Sequence, residues 1–477
     1  MMNFNKSITI STSSHTMLRQ LVVLIFVVAS IGLFFYLNKV QPHYYIDEIF
    51  HVPQTLRFCN RNFFEWDQKI TTLPGLYLMA VVLFAPLKLC NTIVLRGINL
   101  IGTFANFFVV YQILTSSIER RQYGAKQKSH DQRQQWTILI ASLNIAILPP
   151  LYFLLFLYYT DVISTNLVLL MYLFYIKRRF KTSAFAGVLA VLFRQTNIVW
   201  VAWICLELGM DILEKKNPNR IHKSFKNTPA YVKLLWDNAK EEILGGRFTN
   251  LAAEIFGVLL PYLLIGLSFA IFILWNKGIV LGDRSAHVAT FHVPQIFYCS
   301  VFFAFFAWPY FISHVIDFLR FAKARWGLTT LALLLVGIIV RYNTLVHPYL
   351  LADNRHYTFY VWNKTIGRYY LARYLFVPIY GFCLFATWRA LRHLRFLSQI
   401  GYFIATFIVL VPQLLLEPRY FFIPYIIYRI NSIDSVKPWQ LFAESLTTLL
   451  VNAFQFYVFS TKVFYWDDDE YPQRISW

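Results

Sequence analysis

Charged residues are scarce in this chain. Asp, Glu, Lys and Arg make up 14% of its 477 residues, against roughly 25% in water-soluble domains. That shortage, with a mean hydropathy of +0.49 and 57% hydrophobic residues, excludes a soluble globular protein. Cysteine is sparse as well: Cys59, Cys90, Cys205, Cys299 and Cys383 are scattered and odd in number. Their spacing excludes a metal motif and gives no sign of a disulfide framework; the state of Cys59 stays open. No GxxxxGKS/T string occurs, which excludes an ATP-driven helicase reading of Asp47-Glu48-Ile49-Phe50-His51. The net charge of +20 comes without an RNP-like or helix-turn-helix context, so nucleic acid is not an expected partner. No internal repeat of the kind many transporters show is evident.

What the chain does have is apolar runs of span length, near 17–37, 93–117, 136–157, 162–176, 251–275, 296–316, 327–346, 369–388, 399–416 and 440–461. The first is too long for a signal-peptide core and no cleavage pattern follows it, so it reads as a retained span. The basic connections 119–135, 177–181, 211–250, 317–326 and 389–395 belong in the cytosol by the positive-inside rule. Parity then demotes 74–90, which opens Pro74-Gly75 and is broken by Pro86, to a helix that does not cross. The same argument bends 182–210 back on itself at Arg194-Gln195-Thr196-Asn197; one span with Arg194 snorkelling is the alternative.

These readings predict an all-α polytopic membrane protein with roughly twelve crossings. A cytosolic tail (1–16) precedes a transmembrane domain (17–461), and a C-terminal tail (462–477) follows. Within the domain, 38–92, 276–295 and 347–368 lie on the non-cytosolic side and 211–250 on the cytosolic side. If 420–430 only dips into the membrane, the C-terminus is cytosolic.

Nearly every unusual polar cluster falls on the non-cytosolic side. Asp47 and Glu48 stand where the first span meets water. Adjacent helical positions point about 100° apart, so one carboxylate can face a site while the other pairs or caps. A partly shielded carboxylate suits a general base, and His51, four residues on, shares the face of Asp47. A solvated helix start explains the pair equally well, and a metal held by Asp47, Glu48 and His51 is a lesser alternative.

Further along the same loop, Trp66, Asp67 and Lys69 interleave aromatic and charged groups. They fit a sugar platform or an interfacial aromatic belt. Arg194 inside an apolar segment is a functional-site hypothesis by default, and phosphate matches its fork. Asp283, Arg284 and His287 fit phosphate or hydroxyl binding, or a turn capped by Asp283 or Ser285. Asp353, Asn354, Arg355, His356 and Tyr357 suit sugar hydroxyls, or a well-anchored surface loop. Asn363-Lys364-Thr365 is a glycosylation sequon.

Several strings carry a resemblance: Asp47-Glu48-Ile49-Phe50-His51; Trp66-Asp67 with Ile70-Thr71-Thr72-Leu73-Pro74-Gly75-Leu76-Tyr77; Phe193-Arg194-Gln195-Thr196-Asn197; Gly282-Asp283-Arg284-Ser285; and Leu350 through Tyr360. Together, from about residue 40 to the C-terminus, the chain resembles the endoplasmic-reticulum α-1,2-glucosyltransferase family. That family adds the last glucose to the dolichol-linked oligosaccharide.

The resemblance implies a GT-C fold, an endoplasmic-reticulum membrane location and a lumenal active site. The donor would be dolichyl-phosphate glucose, the acceptor a diglucosylated dolichyl-diphosphate oligosaccharide, and the reaction an inversion at C1. Asp47 matches the first acidic residue of the wider class's motif, the expected base, with Glu48 the other candidate. Arg96-Gly97-Ile98-Asn99 also resembles relatives in that class. On this basis Arg194 and Arg284 are expected to bind donor phosphate. His51, Trp66, Asp67, Lys69, Asp283, His287, Asp353, Asn354, Arg355, His356 and Tyr357 are expected to bind substrate, with no cofactor and no metal. A transporter or flippase, or a non-catalytic regulatory membrane subunit, is the competing class.

Overall fold

The computed structural model describes residues 2–122, 132–216, 226–284, 289–433, 436–467 and 470–477. Helix dominates, and the protein is an all-α polytopic membrane protein. Seven described helices are long and apolar enough to cross a bilayer: His15–Val40, Thr92–Arg120, Gln195–Lys216, Phe248–Asn276, Trp326–Asn343, Ala372–Leu391 and Pro438–Thr461. Two bent pairs raise the number to nine. Four shorter apolar helices, Gly75–Phe84, Asp161–Ile176, Phe180–Phe193 and Phe396–Leu410, fall below the length of an upright span. Length and composition therefore do not reach the expected twelve crossings.

The bends have local causes. Gln132–Ala146 turns by 60° into Pro149–Phe156, where Pro149 and Pro150 lack the N–H groups that would continue the ladder. Pro294–Phe306 turns by 94° into Trp308–Ala324 at Trp308-Pro309. What reads in sequence as the single spans 136–157 and 296–316 is thus broken in both cases.

Three loop elements set up the site. Helix Glu48–Cys59 follows the first span after a short turn, and Gly75–Phe84 packs against it through Leu76, Tyr77 and Ala80. At ten residues the latter is about 15 Å long, half the hydrocarbon thickness. The helix of segment 182–210 breaks where expected: Phe180–Phe193 ends at Arg194, and Ile198–Lys216 begins after the 3-10 turn Gln195–Asn197. The second arm, Gln195–Lys216, is by itself long enough to span, against the two short arms expected.

Both chain ends are more ordered than tails. The first helix runs Met2–Val40, so the backbone before the apolar run is already helical. At the other end Val463–Phe464 pairs with Gln473–Arg474, and Ser476 bridges to His356. The Tyr45 hydroxyl donates to the Arg474 carbonyl at 2.9 Å. The C-terminal segment therefore lies on the face of Asp47, not on the opposite one. The intervening helix Phe422–Asn431 is buried along its length, and Asn431 reaches Tyr172, near the far end of Asp161–Ile176. At ten residues it is about 15 Å long, half the hydrocarbon thickness. Arg429 and Glu444, both fully buried, tie it to Pro438–Thr461 at 2.6 Å.

Cys59 and Cys90 form a disulfide that ties the end of Glu48–Cys59 to the chain beyond Gly75–Phe84; Cys205, Cys299 and Cys383 are free. Thiol counting on denatured, unreduced protein should find three reactive cysteines, rising to five after reduction. Five before reduction would contradict the pairing.

Candidate active site

Glu48 and Arg96 are buried together, 0% and 1% exposed. The Arg96 guanidinium spends all five N–H groups. Nε and Nη2 donate to the two Glu48 oxygens at 2.9 and 2.6 Å. Nη1 donates to the Asn38 side chain and the Gln41 carbonyl, and Nη2 also to the His43 carbonyl. Glu48 in turn accepts the Tyr45 and Tyr158 backbone N–H groups. One ion pair thus fastens the end of the first span, the helix Thr92–Gln122 and the turn before Asp161 to the start of Glu48–Cys59. Asn99 adds two bonds to that turn, donating to the Leu157 and Tyr159 carbonyls. Glu48, a candidate base in sequence, has no oxygen left for substrate; its role is to hold the turn.

Asp47 is placed quite differently. Ile46, just before it, has φ +49°, a left-handed backbone that a β-branched residue rarely adopts. The Tyr159 hydroxyl accepts the Asp47 N–H at 2.9 Å. The Asp47 side chain keeps 30% of its exposure, and its Oδ2 accepts from Arg419 Nη1 at 2.8 Å. Burial alone would raise its pKa. The Arg419 charge, with His51 and His356 in support, outweighs burial and holds the carboxyl at about 2. His51 is also lowered, to about 4, but chiefly by burial, which disfavours its charged form. Its ring is therefore neutral near pH 7, with Nδ1 2.6 Å from the Tyr77 hydroxyl.

Arg419 also pairs with Glu417 through Nε and Nη2. It lines a small pocket whose polar side chains include Arg194, Asp161, Thr196 and Tyr420 and whose other wall is apolar, with Trp200, Val409 and Ile423. Arg194 sits in extended backbone at the end of its helix. Its guanidinium holds Asp161 at 3.0 Å and the Thr160 hydroxyl at 3.1 Å. Gly75 lets the neighbouring helix approach this turn: a Cβ there would lie 2.6 Å from the Leu192 carbonyl oxygen. Gln195 then donates to the Thr71 and Ile279 carbonyls, stapling two loops beside Arg194.

The other expected residues divide. Arg284 is exposed, and its guanidinium caps the carbonyls of Asn276, Lys277 and Val280, so it is spent on its own loop and does not stand beside Arg194. Asp283 is fixed through its N–H to the Gln68 carbonyl. Gly282 beside it has φ +60° and no room for a Cβ, which would fall 2.4 Å from that same oxygen. Asp67 accepts from the Lys69 N–H, and Lys69 is exposed. Trp66 packs on Phe58 and Tyr77 and donates to the Ile70 carbonyl, the behaviour of a packing group. His287 lies outside the described residues.

In the loop 353–357, Arg355 grips Asp353 at 2.7 Å and stacks 4.5 Å over Trp466. Asn354 accepts from the Trp466 indole, and Tyr357 packs on Trp477. His356 is bonded through Nδ1 to the Trp477 carbonyl. Its charge, when present, helps hold the Asp47 and Glu417 carboxyls down. Among the described residues no three His, Cys, Asp or Glu side chains converge as a metal set.

The sequence reading missed Arg419, Glu417 and Asp161. The available signal was sidedness: in the alternation of basic connections the short turns Tyr158 to Asp161 and Glu417-Pro418-Arg419 also fall on the non-cytosolic side with Asp47. Replacing Arg96 by Met should leave Glu48 buried without its partner and cost about 3–5 kcal/mol, read as a lowered unfolding temperature in detergent. An unchanged unfolding temperature would contradict the anchoring role.

Comparison with known proteins supplies the family. The DIE2/ALG10 family model matches residues 41–430. A Drosophila melanogaster protein is 39% identical over 95% of this chain and 97% of its own length. A Homo sapiens relative is 37% identical over 91% and 93% of the two chains, and an Arabidopsis thaliana relative 33% identical over 92% and 96%. All three are named Dol-P-Glc:Glc(2)Man(9)GlcNAc(2)-PP-Dol alpha-1,2-glucosyltransferase. No solved structure matches. With most of its length matched by the family model and by these relatives, the chain belongs to the DIE2/ALG10 family.

Proposed function

We propose that this protein transfers glucose from dolichyl-phosphate glucose to the 2-hydroxyl of the terminal glucose of a diglucosylated dolichyl-diphosphate oligosaccharide, with inversion at C1. The observation that carries the reading is the division of the acidic pair. Glu48 is consumed by Arg96, while Asp47 stays partly exposed and is joined through Arg419 to the pocket of Arg194. The curated relatives' names specify the same donor and acceptor.

In this mechanism Asp47 takes the proton of the acceptor 2-hydroxyl. The freed oxygen forms a bond to donor C1, the C1–O bond to phosphate breaks, and dolichyl phosphate leaves with the electron pair. Arg194, fixed by Asp161 and Thr160, meets the developing charge without reorganisation. His356 and the loop it belongs to border the acceptor. A monophosphate leaving group met by fixed cations requires no metal and no cofactor. We place the protein in the endoplasmic-reticulum membrane with this site facing the lumen. The basic connections assign the opposite face to the cytosol, and the Cys59–Cys90 disulfide on the Asp47 helix suits an oxidising compartment.

The test is transfer from radiolabelled dolichyl-phosphate glucose to a synthetic diglucosylated lipid-linked glycan by purified protein in EDTA. Wild type should transfer in chelator, and Asp47→Asn should lose about 10²–10⁴-fold while remaining folded. No transfer by folded wild type would return the transporter or regulatory reading. Loss of wild-type transfer on chelation alone would revive a metal.

A further inference from the structure

We propose that Arg419 is handed from Asp47 to the donor's phosphate, so that donor binding is the event that releases the base to the acceptor. This rests on the reading of Asp47 and the donor given above. Two guanidinium groups line the pocket, Arg194 and Arg419, and three carboxylates are bonded to them: Asp161 on the pocket wall, with Glu417 and Asp47 reaching Arg419 from beside it. Without ligand the cluster has one more negative than positive group. An incoming phosphate must therefore take a cation from one of the carboxylates.

The three contacts differ in how readily they can be exchanged. Asp161 lies at the foot of its own helix, 3% exposed, and holds Arg194 by both oxygens. Glu417 holds the Nε and Nη2 edge of Arg419 from two residues away, across Pro418. The contact to Asp47 is a single bond from Nη1 to a carboxylate 30% exposed, arriving from a separate loop. Releasing it strands neither partner: Asp47 has solvent access, and Arg419 keeps Glu417. It is also the contact nearest the chemistry, because Oδ2 is occupied by the same N–H that a phosphate oxygen would accept.

The arrangement acts as a lock. With Arg419 on Oδ2, the acceptor hydroxyl competes with a guanidinium for the carboxylate, and the carboxylate is a weak proton acceptor. Once a phosphate oxygen takes Nη1, Oδ2 is open, and losing an adjacent cation strengthens the base. No proton or covalent bond changes hands at this stage. The consequence is ordered binding, donor before acceptor, which protects the activated base from engaging an acceptor when no glucose is available. Because binding couplings are reciprocal, the acceptor should tighten donor binding by the same factor.

The experiment measures the affinity of the diglucosylated lipid-linked glycan for full-length protein in detergent, alone, with saturating dolichyl phosphate, and with dolichol. In wild type, dolichyl phosphate should tighten acceptor binding about tenfold and dolichol should not. In Asp47→Asn, where Arg419 retains Glu417 and the fold is kept, acceptor affinity should be the same with and without dolichyl phosphate. Indifference of the wild type to dolichyl phosphate, an equal effect from dolichol, or undiminished coupling in Asp47→Asn would each overturn the handover. Wild-type transfer in the assay above separates the two levels. Transfer without coupling removes this inference alone, whereas absence of transfer removes the function it rests on.

Discussion

The buried Glu48–Arg96 pair is the constraint on which the site depends. Placing two charges out of water is costly, and such a pair persists only when its remaining hydrogen bonds are met. Here they are: five guanidinium N–H groups and both carboxylate oxygens all find partners. Those partners come from the first span, the second long helix, the turn before Asp161 and the start of Glu48–Cys59. One interaction therefore fixes four pieces of chain, and with them the left-handed Ile46 that presents Asp47. The two adjacent carboxylates differ in surroundings because one of them is consumed in this way.

Around that anchor the site is organised as paired charges at the mouth of the bundle. Arg194 with Asp161, and Arg419 with Glu417, are held charges at the place proposed for the anionic leaving group, and the contact to Asp47 is the one the handover releases. Electrostatic preorganisation is commonly the largest single term in catalysis. The surrounding loops are held by backbone contacts: Gln195 to Thr71 and Ile279, Asp283 to Gln68, and Ser476 to Arg355 and Tyr357. The C-terminal strand pair is part of this frame, so the last residues of the chain buttress the same loop that brings His356 toward Asp47.

Much of this was legible in the sequence. Polar groups are rare against an apolar background, so Asp47 and Arg194 stand out, and the polar cluster at 194–197 marked the break between two helices. The long strings around Trp66, Gly282 and Asp353 pointed to the family. What the sequence hid was pairing. Arg96 is 48 residues from Glu48 and Arg419 is 372 residues from Asp47, and neither distance leaves a periodic trace. Arg284 looked like a phosphate ligand because its true partners are backbone carbonyls, which no side-chain pattern reveals. The kinks at Pro149 and Pro309 concealed broken helices, since hydropathy is continuous across them. The disulfide escaped because five scattered cysteines suggest no pairing until Glu48–Cys59 and Gly75–Phe84 are brought side by side.

The division of labour between Asp47 and Glu48 is the central claim. The most direct test measures unfolding temperature and turnover per folded molecule in Glu48→Gln, at a temperature where the variant remains folded. The account predicts a protein of lowered stability that keeps most of its turnover, because the base is intact and only its anchor is weakened. A Glu48→Gln protein as stable as wild type and without turnover would show that Glu48 itself performs the proton transfer, and would contradict the account.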